Sequence, residues 1–368
     1  MSGSKWWVFC MALVQASVAA CLGCSGRASD LSPVPARSRY DCLIIRNLTG
    51  KDDVVTSTGF PEYFTPDILE EERPGAPHAA SREAQLLGTT VRVAVYDLDA
   101  RRADAAAQAA LARIAELSRK LNIFDPKSDV SRINREAFRE AAPIDSDVDR
   151  LIRTSFEVSR LSAGAFDVTV GPLTSLWRKY RADGKLPPAD EVKRARELVG
   201  REKVRLGESP SVYFAREGMS FDFGGIAKGF AAEEAAKVLV RRGVRSAIVT
   251  CGGELKLIGS RPGGEPFRVG IDDPRPGAPD SIRFVLLLRS VSVSTSGNYR
   301  QFTMIGGRRY SHIIDPRTGE SIEALPSVTV VGPDGTMCDA LATAVSVLGE
   351  AEGLKLIEAV NAGIETGN

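Results

Sequence analysis

Histidine is almost absent. Of 368 residues only His78 and His312 are histidines, which excludes a multi-histidine metal site. The cysteines, at 10, 21, 24, 42, 251 and 338, offer no zinc-type C-x-x-C pairing apart from Cys21 and Cys24, which close an N-terminal apolar run. A charge excess is missing too. Lys plus Arg number 48 against 47 Asp plus Glu, a net of +1, so no global field draws in nucleic acid or an acidic membrane surface. No internal repeat is evident. What remains is ordinary for a soluble globular protein, 43% hydrophobic and 26% charged, and long enough to bury a sizeable core.

The N-terminus reads as an export signal. Lys5 is a minimal positive region, Trp6 to Leu22 is apolar, and the polar Ser25 to Arg39 follows. The run is short for a membrane span. Val18-Ala19-Ala20-Cys21 resembles a bacterial lipoprotein box with Cys21 as the lipidated residue; Cys24 is a second candidate, and cleavage without lipidation is the alternative. We therefore divide the chain into a signal peptide with lipobox (1–24), a proline-rich tether (25–80) holding His78 and one short strand candidate at Cys42 to Ile45, and a folded domain (81–368).

Within that domain the pattern predicts a strand at Val91–Val95 and a long amphipathic helix over Ala103–Leu121. A short helix capped by Ser128 or Asp129 follows, then helices at Asp147–Leu161 and Asp190–Gly200 and a hairpin at Val204–Phe214. Further strands are expected at Ala247–Thr250, Leu255–Ile258, Phe267–Ile271, Phe284–Leu288, Ser290–Asn298 and Val328–Val331, and a helix at Met337–Leu348. Cys251 and Cys338 fall in apolar segments and read as small buried residues; an oxidising compartment leaves a disulfide between them open. In Ala165-Phe166-Asp167-Val168-Thr169-Val170 polar Asp167 and Thr169 alternate with apolar residues, and Gly171-Pro172 closes the run before Leu176-Trp177; Asp167 either hydrogen-bonds its own turn or, with Thr169, walls a ligand site.

Phe221 to Glu234 organises the rest. Phe221-Asp222-Phe223 reads as a strand end, Gly224-Gly225 as a turn, and Ile226–Arg242 as a helix with Lys228 in its first turn. Strand, glycine turn and helix start together suit a phosphate, although a tight connection with an exposed lysine is the plainer alternative. The stretch has neither the G-x-x-x-x-G-K-[ST] nor the G-x-G-x-x-G spacing. On the last predicted helix, Asp339 and Thr343 lie four apart and share a face. Carboxylate and hydroxyl are hard donors suited to Mg²⁺, or else a cap or surface pair. His312, between Ser311 and a turn at Asp315-Pro316, is either structural or a general base.

These segments resemble the ApbE family, the FAD:protein FMN transferases. DFGGIAKG, the Gly252-Gly253 pair with Glu254, VSTSGNY, YSHIIDPRTG and CDALATA occur in family order, and GAFDVTVGPL and DVSRINREA look like its earlier blocks. The resemblance runs from about Leu86 to the C-terminus. It implies a single α/β (mixed α+β) catalytic domain of the T-fold-like type. It also implies Mg²⁺-dependent transfer of the FMN half of FAD to a Thr or Ser hydroxyl of a partner protein, with release of AMP. By the family pattern Asp339, Thr343 and the Gly225 carbonyl would hold Mg²⁺, with Asp339 and His312 catalytic. Lys228, Gly224 and Gly225 would contact phosphate or flavin. Asp167, Thr169, Gly171, Asp222, Glu254, Ser296 and His312 would complete the FAD site. The implied partner is a flavin-acceptor protein of a membrane electron-transfer complex, met at the periplasmic face of a bacterial membrane, with no nucleic acid involved. Three departures stand out. Leu87 replaces a common Met; Glu254 and Glu233 stand where Asp is common; and the chain ends before the final strand usual in the family. Competing readings are an FAD pyrophosphatase, with water in place of the acceptor, and a non-enzymatic FAD-binding lipoprotein.

Overall fold

A hairpin turned by two left-handed residues starts the folded body. The structure, a computed structural model, describes residues 7–11, 44–46, 80–272, 282–297, 302–322, 325 and 327–363. Cys21, Cys24, His78 and most of the leader and tether lie outside the described residues. Two short strands precede the body, β1 (Trp7–Met11), within the predicted leader, and β2 (Ile44–Arg46). The hairpin joins β3 (Ala80–Leu86) to β4 (Thr89–Val95). Its turn, Leu87-Gly88, has φ of +54° and +70°, and Ser118 accepts the Leu87 N–H at 3.1 Å. An apolar residue is thus held in a conformation that normally favours glycine.

Next come α1 (Ala100–Lys120), α2 (Asp129–Glu136), β5 (Ala142–Pro143), α3 (Ser146–Leu161), α4 (Gly171–Ala182) and α5 (Ala189–Arg196). Then follow β6 (Val204–Leu206), β7 (Ser211–Phe214) and α6 (Ala227–Arg241). The remaining strands are β8 (Ala247–Cys251), β9 (Glu254–Ile258), β10 (Phe267–Asp272), β11 (Ile282–Leu288), β12 (Ser292–Gly297), β13 (Phe302–Ile305), β14 (Arg308–Ser311) and β15 (Ser327–Gly332), and α7 (Gly335–Asn361) ends the order. Eight strands form the main sheet in the order β2-β1-β15-β12-β9-β8-β4-β3. Every neighbouring pair is antiparallel except β1 with β2. The protein is therefore a mixed α/β fold.

Both faces of the sheet are covered. Val91, Val93, Val249, Val328 and Val330 join α1, α6 and α7 in the main core. The alternate residues Val293, Val331 and Leu257 pack under the β10–β11 hairpin with Phe267, Val269 and Leu286. That is why all six residues of β15 are buried, as expected of a strand with two dry faces. Between α1, α3 and α6 runs an ionic cluster. Glu234 binds Arg113, Arg150 and Lys237 at 3.0, 3.0 and 2.9 Å, and Asp147 binds Lys120 and Arg150 at 2.9 Å each.

Two expectations are corrected. Phe221–Phe223 is no strand end: one bridge pairs Val170 with Ser220. Asn134 takes a neighbouring strand's place, accepting the Phe221 N–H at 2.7 Å and donating to its carbonyl at 3.0 Å. Gly171-Pro172 does not close a run but opens α4, since proline is tolerated in a first helical turn. The helix expected over Met337–Leu348 does end there, at the non-helical Gly349 (φ +78°, ψ +178°), and a second helical segment continues to Asn361. Cys251 and Cys338 are buried, as expected, and unbridged.

Candidate active site

The starts of α6 and α7 meet at a point where only glycine fits. A Cβ on Gly229 would lie 2.1 Å from the Gly335 carbonyl oxygen and 2.6 Å from the Asp339 Cβ. This close approach lets Asp339, 2% exposed, accept the Gly229 N–H at 2.8 Å. Two carboxylates finish the α7 start: Asp334 accepts the Met337 N–H at 3.0 Å, and Glu233, from α6, accepts that of Gly335 at 3.0 Å while pairing with Lys256 at 2.8 Å. Glu233 thus acts as a helix clasp.

Around Asp339 the polar groups converge. Lys228 Nζ lies 3.7 Å from Asp339 Oδ1 and 2.9 Å from Glu254 Oε1. One turn along α7, Thr343 Oγ1 lies 3.4 Å from the Gly225 carbonyl oxygen and 3.4 Å from Ser296 Oγ on β12. Burial opposes the Lys228 charge, yet the Asp339 and Glu254 carboxylates raise its pKa above the usual lysine value. Burial and the Asp339 carboxylate push Glu254 the other way from an ordinary carboxylate, up to about 7. Glu254 Oε2 is buried without a hydrogen-bond partner. Burial also pushes the neighbouring Cys251 thiol up to about 12, so it is no nucleophile at neutral pH.

The predicted residues divide into two groups. Gly225, Lys228, Glu254, Ser296, Asp339 and Thr343 come together as above. Asp167 and Thr169 instead fasten a loop. Asp167 accepts from the Thr169 N–H (2.8 Å) and hydroxyl (2.7 Å), from Ser159 (3.3 Å) and from the Arg201 N–H (3.1 Å), while Thr169 accepts the Gly200 N–H at 2.7 Å. Their neighbour Phe166 reaches the centre, its ring 3.4 Å from where a Gly225 Cβ would stand. Asp167 also lines a cavity of about 320 Å³ with Gly164, Arg201 and Arg317. Gly171 packs its Cα against Ser220. Asp222 holds the glycine turn, accepting the Gly224 N–H at 2.9 Å.

His312 is exposed, directly after β14. Its neighbour Ile313 packs with Ala165 and with Val347, which sits one turn of α7 beyond Thr343, about 6 Å along the axis. Sequence reasoning missed the residues that brace Asp222. Thr174 donates to it at 2.8 Å and Arg178 lies 3.5 Å away, with the Arg178 guanidinium also over the exposed Phe124 ring at 4.7 Å. Thr174 and Arg178 lie four apart on α4, a spacing readable only once that helix is recognised.

The donor set fits Mg²⁺. Asp339, Thr343 and Gly225 offer a carboxylate, a hydroxyl and a carbonyl, all hard oxygens, and a Cβ on Gly225 would stand 3.0 Å from Thr343 Oγ1, so glycine alone leaves this cradle open. Among the described residues no three His, Cys, Asp or Glu gather around one point. With such an ion bound, the remaining coordination positions would fall to water or substrate oxygens, as is usual for Mg²⁺.

Fold and site define a mixed α/β protein with one buried polar centre between two helix starts. The family model described as "ApbE family" matches residues 87–366, and the chain belongs to that family. It is 32% identical over 288 residues to an FAD:protein FMN transferase of Treponema pallidum, covering 73% of this chain and 78% of that one. A Haemophilus influenzae protein of the same name is 28% identical over 255 residues, covering 67% and 74%. Among solved structures, the ApbE protein of Thermotoga maritima matches with a TM-score of 0.68 and 30% identity, over 76% of this chain and 90% of that one. The apo flavinyl transferase ApbE of Pseudomonas stutzeri gives 0.67 and 31%, over 76% and 88%.

Proposed function

We propose that this chain is an FAD:protein FMN transferase that moves the FMN half of FAD onto a Thr or Ser hydroxyl of an exported partner protein. The observation that carries the reading, beyond family membership, is the convergence of Asp339, Thr343, the Gly225 carbonyl and Lys228 at two helix starts. Phosphoryl transfer asks a protein for little covalent chemistry and much positioning and charge stabilisation. The acceptor oxygen forms a bond to the FMN phosphorus as the bond to the AMP phosphate breaks. His312, exposed directly after β14, takes the hydroxyl proton, and AMP leaves with its phosphate charge facing Lys228. Asp339, Thr343 and Gly225 would hold Mg²⁺, which when bound supplies Lewis-acid stabilisation of the phosphate oxygens. Asp222, braced by Thr174, keeps the glycine turn in place under the phosphates. Asp167 and Thr169 hold the loop that presents Phe166.

The apolar leader and Cys21 support an address at the periplasmic face of a bacterial membrane, with a lipid anchor and an acceptor in a membrane electron-transfer complex. The test uses chain starting after Cys24, incubated with FAD, Mg²⁺ and a flavin-acceptor domain, following AMP release and acceptor mass. The expected result is an FMN-sized mass gain that requires Mg²⁺. AMP and free FMN with unchanged acceptor mass would make the protein a pyrophosphatase; bound FAD without AMP would make it a carrier. Recovery of the full chain in membranes, lost in Cys21→Ala, checks the anchor.

A further inference from the structure

A cavity of about 430 Å³ opens between the α4–α5 segment and the stretch from β14 to Ser321. Its volume is that of a ligand site. Trp177 and Tyr310 line it with ring centroids 6.0 Å apart, and Trp177 Nε1 donates to the Gly319 carbonyl at 2.8 Å. Lys193 and Arg196 stand on its rim and find no carboxylate among the described residues, while Glu320 is the one acid in the lining. Arg308 lines the cleft as well, and behind the wall lies a further cation. Arg181 stacks 4.9 Å over Trp177 and donates to the Ser311 carbonyl and, at 3.4 Å, to Ser321. Its Nε is buried without a partner, no carboxylate neutralises it among the described residues, and burial lowers its pKa. A half-buried, uncompensated guanidinium beside two surface cations, of which Arg196 donates only to the Arg317 carbonyl at 3.4 Å, makes this cleft a place that favours a negative charge.

The cleft wall is tied to the residue beside His312. The Ser311 carbonyl, next to His312, is held by Arg181 and by Ser321 Oγ at 2.7 Å. Tyr310 in the lining and His312 are two residues apart, so their Cα atoms are within about 7 Å. The nucleotide substrate must reach Lys228, Asp339 and the Gly225 turn, and none of these lines the cleft. The acceptor hydroxyl must reach His312.

We propose that this cleft receives the acceptor polypeptide, with an acidic residue near the modified Thr or Ser held by Lys193 and Arg196 and aromatic contact from Trp177 and Tyr310. The inference rests on the transferase reading and on His312 as the base. A Lys193→Glu/Arg196→Glu double variant alters only exposed side chains, so its fold is not at risk. With an acceptor domain carrying one modifiable Thr, the expected result is an acceptor KM raised tenfold or more. kcat and the FAD dissociation constant, read by flavin fluorescence, stay within twofold. Amidating the acceptor's Asp and Glu residues that flank the Thr raises KM for the wild type and adds nothing further in the double variant, because the two changes break one interaction. An unchanged acceptor KM overturns the docking site, and a weakened FAD affinity assigns the cleft to the nucleotide instead. A wild type that leaves the acceptor mass unchanged overturns the transferase reading itself, before any variant is compared.

Discussion

Two buried ionic clusters sit on α6, and they are built on opposite principles. The cluster around Glu234 and Asp147 is closed. Both carboxylates are surrounded by guanidinium and ammonium groups from three helices. Although burial works against them, the Arg150 and Lys237 hydrogen bonds bring Glu234 down to about 2, and those of Arg113 and Lys120 hold Asp147 far below the usual range. The cluster around Lys228 is open. Two buried carboxylates share one lysine, Glu254 keeps an unpartnered oxygen and is pushed up to about 7. A protein gains nothing in stability from such an arrangement. It makes sense as a place left incomplete for a cation and a phosphate, and perturbed carboxylates in clefts mark functional sites more than structural ones do.

The sharpest way to break the comparison is Asp339→Asn. The amide oxygen still accepts the Gly229 N–H, so the helix contact persists while the charge is lost. kcat for FMN transfer is expected to fall by about 10²–10³, the scale for removing a group that stabilises transition-state charge, with an unchanged far-ultraviolet circular dichroism spectrum. Full Mg²⁺-dependent turnover in this variant would remove the open cluster from catalysis. Arg113→Ala tests the closed cluster. Stripping one partner from a buried network costs about 3–5 kcal/mol, reduced here to about 2–3 because Arg150 and Lys237 are partly exposed and remain. Both carboxylates have depressed pKa values, so their contribution is present above the unfolded values of 4.5 for Glu234 and 3.8 for Asp147 and is lost as pH falls through the folded ones. Urea unfolding at pH 7 should show the loss, and the gap to wild type should close as pH drops from about 4.5 towards 2. Activity per folded molecule is expected to stay within a few-fold.

Much of this was legible in the residues, and the failures have physical causes. Long periodic elements were read to within a few residues: the expected Ala103–Leu121 helix is Ala100–Lys120, and Val328–Val331 is Ser327–Gly332. Ser128 caps its helix as expected, accepting the Ser131 N–H at 3.1 Å. The open cluster was visible because its members lie in compact motifs, Gly224 to Lys228 and Asp339 with Thr343 at helical spacing. Phe221–Phe223 misled because its backbone partner is a side chain, Asn134, 87 residues away, which no local pattern encodes. Glu233 read as a departure from family habit, whereas its position clasping Gly335 is a long-range contact. The cavity beside His312 was invisible for the same reason. Its walls come from α4 and α5 on one side and the β14 region on the other, more than a hundred residues further along the chain.

The smallest expected effect separates the clusters by the sign of their pH dependence. Glu254 has a folded pKa near 7 against an ordinary value of 4.5. Between those values the native protein holds more protons than the unfolded chain, so stability falls as pH rises through that window. The Glu234 cluster acts in the reverse sense, at lower pH. Glu254→Gln keeps the shape but cannot ionise, so its melting temperature should lack this decline. The difference, variant minus wild type, is therefore expected to grow more positive from about pH 4.5 to 7, whatever the variant loses by releasing Lys228. A difference that stays constant across the window would mean that Glu254 titrates like a surface carboxylate. The open cluster would then be as well compensated as the closed one, and its unpartnered oxygen would carry no functional meaning.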